Sequence, residues 1–179
     1  YAEAERMVED LIRGRKQLDD YELLFVGYAL ADTHVHQAEG VAKLTQLVQR
    51  RPSWGLARAM LAHALANLGG DFDRRDTIVA AKEQLNIADA ILPNNRFVNA
   101  VGLHVLTVER VLAAQHGLQL AELDSAVSQL ASMLAEQHPK YLYGRIMRAR
   151  YFSAMNHPEL ALTESTLARE EGGASGVTS

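Results

Sequence analysis

Histidines are the first residues in this sequence whose type and spacing could do chemistry. His34 and His36 flank Val35, and two imidazoles at i and i+2 can ligate one metal ion from a strand or a loop. On a helix the same spacing turns the two side chains about 200° apart. Because the pair falls in a predicted turn and the sequence has no His-Glu-x-x-His motif, we favour a solvated turn over a metal site.

Catalytic motifs are missing from the rest of the sequence. It has no cysteine and no Gly-rich loop ending in Gly-Lys-Ser/Thr, and His63 and His104 stand alone on predicted helices. The run Gly70-Asp71-Phe72-Asp73 shares two letters with the Asp-Phe-Gly of protein kinases, but no Gly follows Phe72 and no His-Arg-Asp loop accompanies it. We therefore predict that this chain is not an enzyme and carries no cofactor or metal.

Three arginines near the end of the chain could bind an anion. Arg145, Arg148 and Arg150 could clamp a carboxylate, since guanidinium groups bind carboxylates in a bidentate manner. The alternative is a solvated face that Glu159 and Glu164 balance, and it is the interpretation we favour.

The composition restricts the class of partner. The net charge of -4 lacks the basic footprint of a nucleic-acid or anionic-membrane binder. No apolar run approaches the roughly 18–20 residues that span a bilayer, and no signal peptide is recognisable. We expect a protein or peptide partner, no nucleic acid, no membrane contact and a cytoplasmic location.

Prolines divide the chain into helical pairs. Pro52, Pro93 and Pro139 each follow a helix-like amphipathic run, which proline cannot continue, and 41 and 46 residues separate them. Such spacing is typical of stacked helix pairs. The predicted organisation is an N-terminal capping or linker helix over 1–19, helical pairs over 20–52, 53–93, 94–139 and 140–171, and a flexible tail over 172–179.

Several local features predict where the helices begin and end. Ser53 is a candidate helix cap, Gly69-Gly70 should end the helix that follows it, and Asp71 to Asp76 should form a polar insertion. Gly117 should break the long helix of the third pair. Trp54 either covers a seam between pairs or is exposed for a partner.

Recurring positions carry a family resemblance. Ten residues after the three prolines stand Ala62, Leu103 and Ala149, and thirteen after them stand Leu65, Leu106 and Phe152. With the small residues along the helices, this phasing resembles the tetratricopeptide repeat (TPR) family over residues 20–171. Val127 stands where the third pair should have a small residue, so this pair departs from the family pattern. The resemblance implies an all-α fold, a right-handed α-α superhelix of stacked helical hairpins.

The resemblance also implies a function. In such stacks the first helix of each pair lines a concave groove that holds a peptide or a partner helix. The residues next in phase to the packing positions are the expected groove residues: Tyr28, Asp32, His63, Asn67, His104, Tyr143 and Arg150. Residues 6–95 are further similar to TPR regions of bacterial multidomain signalling proteins. This implies the regulatory or docking region of a larger protein, foremost a serine/threonine protein kinase. The alternatives are the sensor arm of a transcriptional regulator or adenylate cyclase, or a self-association module that forms a homodimer.

Overall fold

A computed structural model describes residues 18–174, and these form α-helices and no strand. The predicted all-α fold class is confirmed. Most of the predicted N-terminal helix, residues 1–17, and the end of the tail, residues 175–179, lie outside the described residues.

The chain divides into two compact units, residues 1–93 and 94–179, at the border predicted between the second and third helical pairs. Within the described residues, each unit contains four helices. Those of the first unit are α1 (Asp20–Ala31), α2 (Gln37–Arg50), α3 (Gly55–Asp71) and α4 (Arg75–Ile91). Those of the second are α5 (Arg96–Gln115), α6 (Ala121–Gln137), α7 (Leu142–Ala154) and α8 (Pro158–Ala174).

Local signals explain where many of these helices begin and end. Asp19 caps α1 in a capping box with Glu22, and the Asn95 side chain accepts from the first amides of α5. Pro52, Pro93 and Pro139 each lie two residues beyond the last residue of a helix, as predicted. Gly117 has a φ of 64°, a left-handed conformation that favours glycine, and it follows the end of α5 as predicted.

In the first unit, α3 packs against both α1 and α2. Leu44 and Leu47 of α2 and Ala57, Leu61 and Ala64 of α3 lie in one buried cluster. Glycines allow the α1–α2 contact itself. A Cβ at Gly40 would lie 2.6 Å from the Gly27 carbonyl oxygen, so only glycine fits this crossing.

The second unit repeats this order of packing, since α7 packs against both α5 and α6. Leu103 of α5, Val127 and Leu134 of α6, and Met147 of α7 are buried in its core. Val127 is fully buried, so the third pair has a branched residue at its helix contact, as the sequence indicates.

Three predicted boundaries are wrong. Gly69 and Gly70 do not end α3, which continues to Asp71, and the polar insertion shrinks to the turn between Asp71 and Arg75. A Cβ at Gly69 would lie 2.6 Å from Ile78 Cδ1, so this glycine serves close packing of α3 on α4. Ser53 is not the cap of α3, because Trp54 holds the N-cap position without a side-chain bond. The predicted tail also begins too early, since α8 continues to Ala174.

The expectation that no apolar run approaches the length of a membrane span needs correction. Helix α5 has 20 residues and a mean hydropathy of 1.4 in its most apolar window, so by length and composition it could cross a bilayer. However, 56% of that window is buried inside the protein, and the core helix of a globular domain has the same properties. Length and composition therefore do not assign α5 to a membrane.

Candidate functional site

An aromatic and polar stripe runs along α1. Tyr21, Phe25, Tyr28 and Asp32 follow one another at intervals of four, three and four residues, which places them on one side of the helix. Tyr21 and Phe25 are 68% and 65% exposed, so they are large apolar groups held in solvent. Tyr28 and Asp32 are half-buried.

The stripe is joined by residues at the start and in the middle of α3, and we call the two sets together the α1/α3 face. Tyr21 packs edge-on against Trp54, with ring centroids 5.2 Å apart. Tyr28 lies against the His63 ring at 5.3 Å. Trp54 is half-buried against the core of the unit, which fits the predicted role of covering a seam.

A hydrogen-bonded group closes the end of the face. His63 Nε2 lies 3.0 Å from Asp32 Oδ1, and Asn67 Nδ2 donates to the same oxygen at 3.2 Å. Asn67 also donates to the Ala31 carbonyl oxygen at 3.3 Å. The His63 side chain is only 1% exposed and that of Asp32 is 33% exposed. The buried imidazole therefore positions the carboxylate, while a third of the Asp32 side chain stays open to solvent.

Contacts across the α1/α3 face keep a nearly constant sequence separation. Tyr21 meets Trp54 33 positions later, Tyr28 meets His63 35 positions later, and Asp32 meets Asn67 35 positions later. Two helices that contact each other with an unchanging offset run in the same direction. The first helices of the two pairs thus lie side by side and parallel.

The three predicted groove residues of the second unit have different surroundings. His104 on α5 is buried, with 6% exposure. Tyr143 on α7 stacks on Phe97 of α5 at 5.0 Å and is half-buried against the core. Arg150 is exposed and lines a groove between α7 and α8. Tyr143 therefore joins the first helices of two pairs, whereas Arg150 is open to a ligand.

The other arginines of α7 are not on a solvated face, so that interpretation is wrong for them. Arg148 is 2% exposed and holds Glu164 of α8 through two hydrogen bonds of 3.1 and 2.9 Å. Arg145 holds Glu171 in the same bidentate way, at 2.9 and 3.1 Å, and reaches Glu164 at 3.2 Å. These carboxylates raise the pKa of Arg145, Glu171 foremost, so the guanidinium group stays charged. The arginines do clamp carboxylates, and the carboxylates belong to the same chain.

The turn between α1 and α2 holds the predicted histidine pair. His34 Nδ1 lies 2.7 Å from Asp71 Oδ2 at the end of α3, and Gln37 donates to the same oxygen. His36 points to Glu39 at 3.9 Å. Among the residues that the structure describes, no three His, Cys, Asp or Glu side chains converge on a common point. His34 therefore ties the turn to the end of α3, whereas His36 faces its own helix.

An open cavity of about 390 Å³ lies at the Tyr21 end of the α1/α3 face. It is lined by Tyr21, Trp54 and Ser53, and by an ion pair in which Arg51 Nε donates to Asp20 Oδ2 at 2.6 Å. The hydrogen bond to Asp20 raises the pKa of Arg51. The cavity thus offers aromatic walls with one cation and one anion at its rim.

Tyr21 and Phe25, the most exposed aromatic residues of the face, are not among the residues predicted from the sequence. Their signal was present, because they continue the spacing of Tyr28 and Asp32 toward the start of α1. The predicted groove residues are only those next in phase to the packing positions, and Tyr21 and Phe25 lie outside that set.

The chain matches no protein-family model, no curated protein and no solved structure.

Proposed function

We propose that this chain is a protein-interaction module and that its α1/α3 face binds a peptide or a helix of a partner protein. The observation that carries the proposal is the pair of exposed aromatic side chains, Tyr21 and Phe25, beside the half-buried Trp54. Aromatic residues dominate the binding energy of protein interfaces because they bury much apolar surface at little cost in conformational entropy. A folded protein that leaves two of them in solvent, one helical turn apart, has a surface suited to a partner.

Polar groups at the other end of the face would fix the orientation of the bound segment. Asp32 is held by His63 and Asn67 and still exposes a third of its side chain. A carboxylate fixed in this way can accept a hydrogen bond or pair with a cation without first losing side-chain freedom. The expected ligand is therefore a segment with large apolar residues at one end and a Lys, Arg or backbone amide at the other.

The proposal extends to the architecture. A contact offset of 33 to 35 residues between α1 and α3 is close to the roughly 34-residue period of TPR proteins. The order of packing, in which the first helix of a pair lies on both helices of the preceding pair, recurs in each unit. Both observations favour TPR-like pairs, in which the first helices line the binding surface. Under this proposal the chain acts by binding and not by catalysis.

The wider setting follows from the sequence resemblance alone. We propose a docking or regulatory region of a larger bacterial signalling protein in the cytoplasm, foremost a serine/threonine protein kinase. Sequencing the gene upstream of the codon for Tyr1 tests this directly. An upstream kinase, cyclase or DNA-binding domain would support one of the named settings, and a nearby start codon would refute them all.

Binding at the α1/α3 face can be tested without knowing the natural partner. A displayed library of random peptides is selected on the wild-type chain, and the most enriched peptide is synthesised and titrated while Trp54 fluorescence is recorded. Trp54 is the single tryptophan and lies on the face, so a peptide bound there should change its emission. Phe25→Ala should weaken binding by about 30-fold, since an aromatic hot spot is worth about 2 kcal/mol.

The matched control is Phe72→Ala, which removes an equally exposed phenylalanine, 59% in solvent, from the turn after α3. Its affinity should equal that of the wild type. A selection that yields no binder, or a peptide that Phe25→Ala and Phe72→Ala affect alike, would overturn the assignment of the face.

A further inference from the structure

Helix α7 presents one side to the core and leaves another open. Tyr143, Met147 and Tyr151 pack into the cluster formed with α5 and α6. On the side shared with α8, a groove of about 420 Å³ opens to solvent. Ala149 and Ser153 of α7 and Ala161 of α8 are among the small residues that line it, and we call it the α7/α8 trough.

A further helix lies on the first pair of each unit. Helix α3 lies on the pair α1 and α2, and α7 lies on the pair α5 and α6. Among the described residues of its own unit, no further helix lies on the pair α7 and α8. The trough is therefore a place where this fold elsewhere packs a helix with apolar side chains.

The shape of the trough fits a second copy of the same surface. Leu162, on its rim, is 67% exposed, and Ile146 on the other wall is 37% exposed. The same surface therefore carries a protruding leucine and, beside it, a depression lined by alanines and serines that can receive a leucine. Two copies related by a two-fold axis can each insert a leucine into the other, which is how isologous dimers form.

Charge on the rim is self-complementary as well. Arg150 is exposed and makes no ion pair among the described residues, unlike Arg145 and Arg148 on the same helix. Glu159 is exposed, three residues before Leu162 on α8, and also makes no ion pair among them. Arg150 lines the trough, and Glu159 lies about one helical turn before Leu162 on α8, so a second copy would supply the opposite charge to each.

We propose that this chain forms a homodimer in which the second copy fills the α7/α8 trough. Leu162 of each copy lies in the trough of the other, and Arg150 of each lies beside Glu159 of the other. The trough and the α1/α3 face share no residue, so substitutions can test them one at a time.

Sedimentation velocity of the full 179-residue chain tests the dimer from about 1 μM to about 1 mM. The wild type should move from the 19.7 kDa of one chain toward twice that mass as its concentration rises. Leu162→Glu should remain monomeric over the whole range, with unchanged helicity because the side chain is exposed. The matched control Val79→Glu, at a 58% exposed site on α4, should dimerise like the wild type. A monomeric wild type, or a Leu162→Glu variant that dimerises as well as the wild type, would overturn the proposal.

A charge exchange tests the arrangement within the dimer. Arg150→Glu and Glu159→Arg should each weaken dimerisation by about threefold at low salt, and the double variant should regain wild-type affinity. A double variant weaker than either single variant would refute the pairing of Arg150 with Glu159.

Discussion

The contact between α1 and α2 depends on the absence of a side chain at Gly40. A Cβ placed there would lie 2.5 Å from the Ala31 amide nitrogen, 2.6 Å from the Gly27 carbonyl oxygen and 2.9 Å from Ala31 Cα. All three atoms are backbone, so none can rotate away. In Gly40→Ala the two helices must separate by nearly 1 Å at this point to reach ordinary contact distances.

Two opposing effects set the size of the loss. Alanine favours the helix over glycine by about 1 kcal/mol. Overpacking a tight contact costs about 1–3 kcal/mol, and a clash with rigid backbone should lie at the upper end. Separation of the helices also loosens Leu44, which is fully buried beside Gly27. The expected net loss in the free energy of unfolding is about 2 kcal/mol.

Urea unfolding followed by Trp54 fluorescence measures this loss in the unit concerned, because the only tryptophan lies in the first unit. With a denaturant slope of about 1 kcal/mol per M for a unit of this size, the midpoint should fall by about 2 M. The control Gly172→Ala meets only Leu142 methyl groups at 3.9 and 4.0 Å, and the Trp54 transition should not move. A Gly40→Ala midpoint equal to or above that of the wild type would refute the reasoning.

Two further predictions concern polar side chains of the second unit. Glu164→Ala removes both hydrogen bonds that Arg148, whose side chain is 3% exposed, makes to that carboxylate. The free energy of unfolding should fall by about 3 kcal/mol, as measured by urea unfolding followed by circular dichroism. Arg74→Ala breaks an exposed pair and should cost less than about 0.5 kcal/mol, so equal losses would contradict the distinction. Burial raises the pKa of Tyr141, so the folded state holds the phenol proton more tightly than the unfolded state. That contribution is present below the ordinary pKa of about 10 and is lost as pH rises through the folded value. Tyr141→Phe should lessen the fall in melting temperature above about pH 10, and an unchanged slope would count against it.

Signals that act within a few residues predicted helix borders well. Pro52, Pro93 and Pro139 mark the ends of α2, α4 and α6, and Gly117 marks the end of α5. Proline cannot continue a helix, and glycine readily adopts a left-handed conformation, whatever the rest of the chain does. These features could be recognised from the sequence because their causes are local.

Features that depend on the opposite helix were not predictable in this way. Gly69 looked like a helix end, but it serves close packing on Ile78. Arg148 looked solvated, but α8 brings Glu164 to it and buries both. His63 stands on a predicted first helix, but its full burial and its contact with Asp32 depend on how tightly α3 lies on α1. Helical periodicity gives the direction of a side chain and not the distance to its neighbour.

The hydrogen bond from Asn67 to the Ala31 carbonyl limits how short a stable fragment of this protein can be. The last carbonyls of a helix lack partners within it, and here one at the end of α1 is satisfied by the following pair. A recombinant fragment that stops at Pro52 would strip that carbonyl and Asp32 of their partners and expose Leu44 and Leu47, so we expect such a fragment to aggregate. A fragment that stops at Pro93 keeps all these contacts. The smallest useful piece for crystallisation or NMR is therefore two pairs of helices and not one.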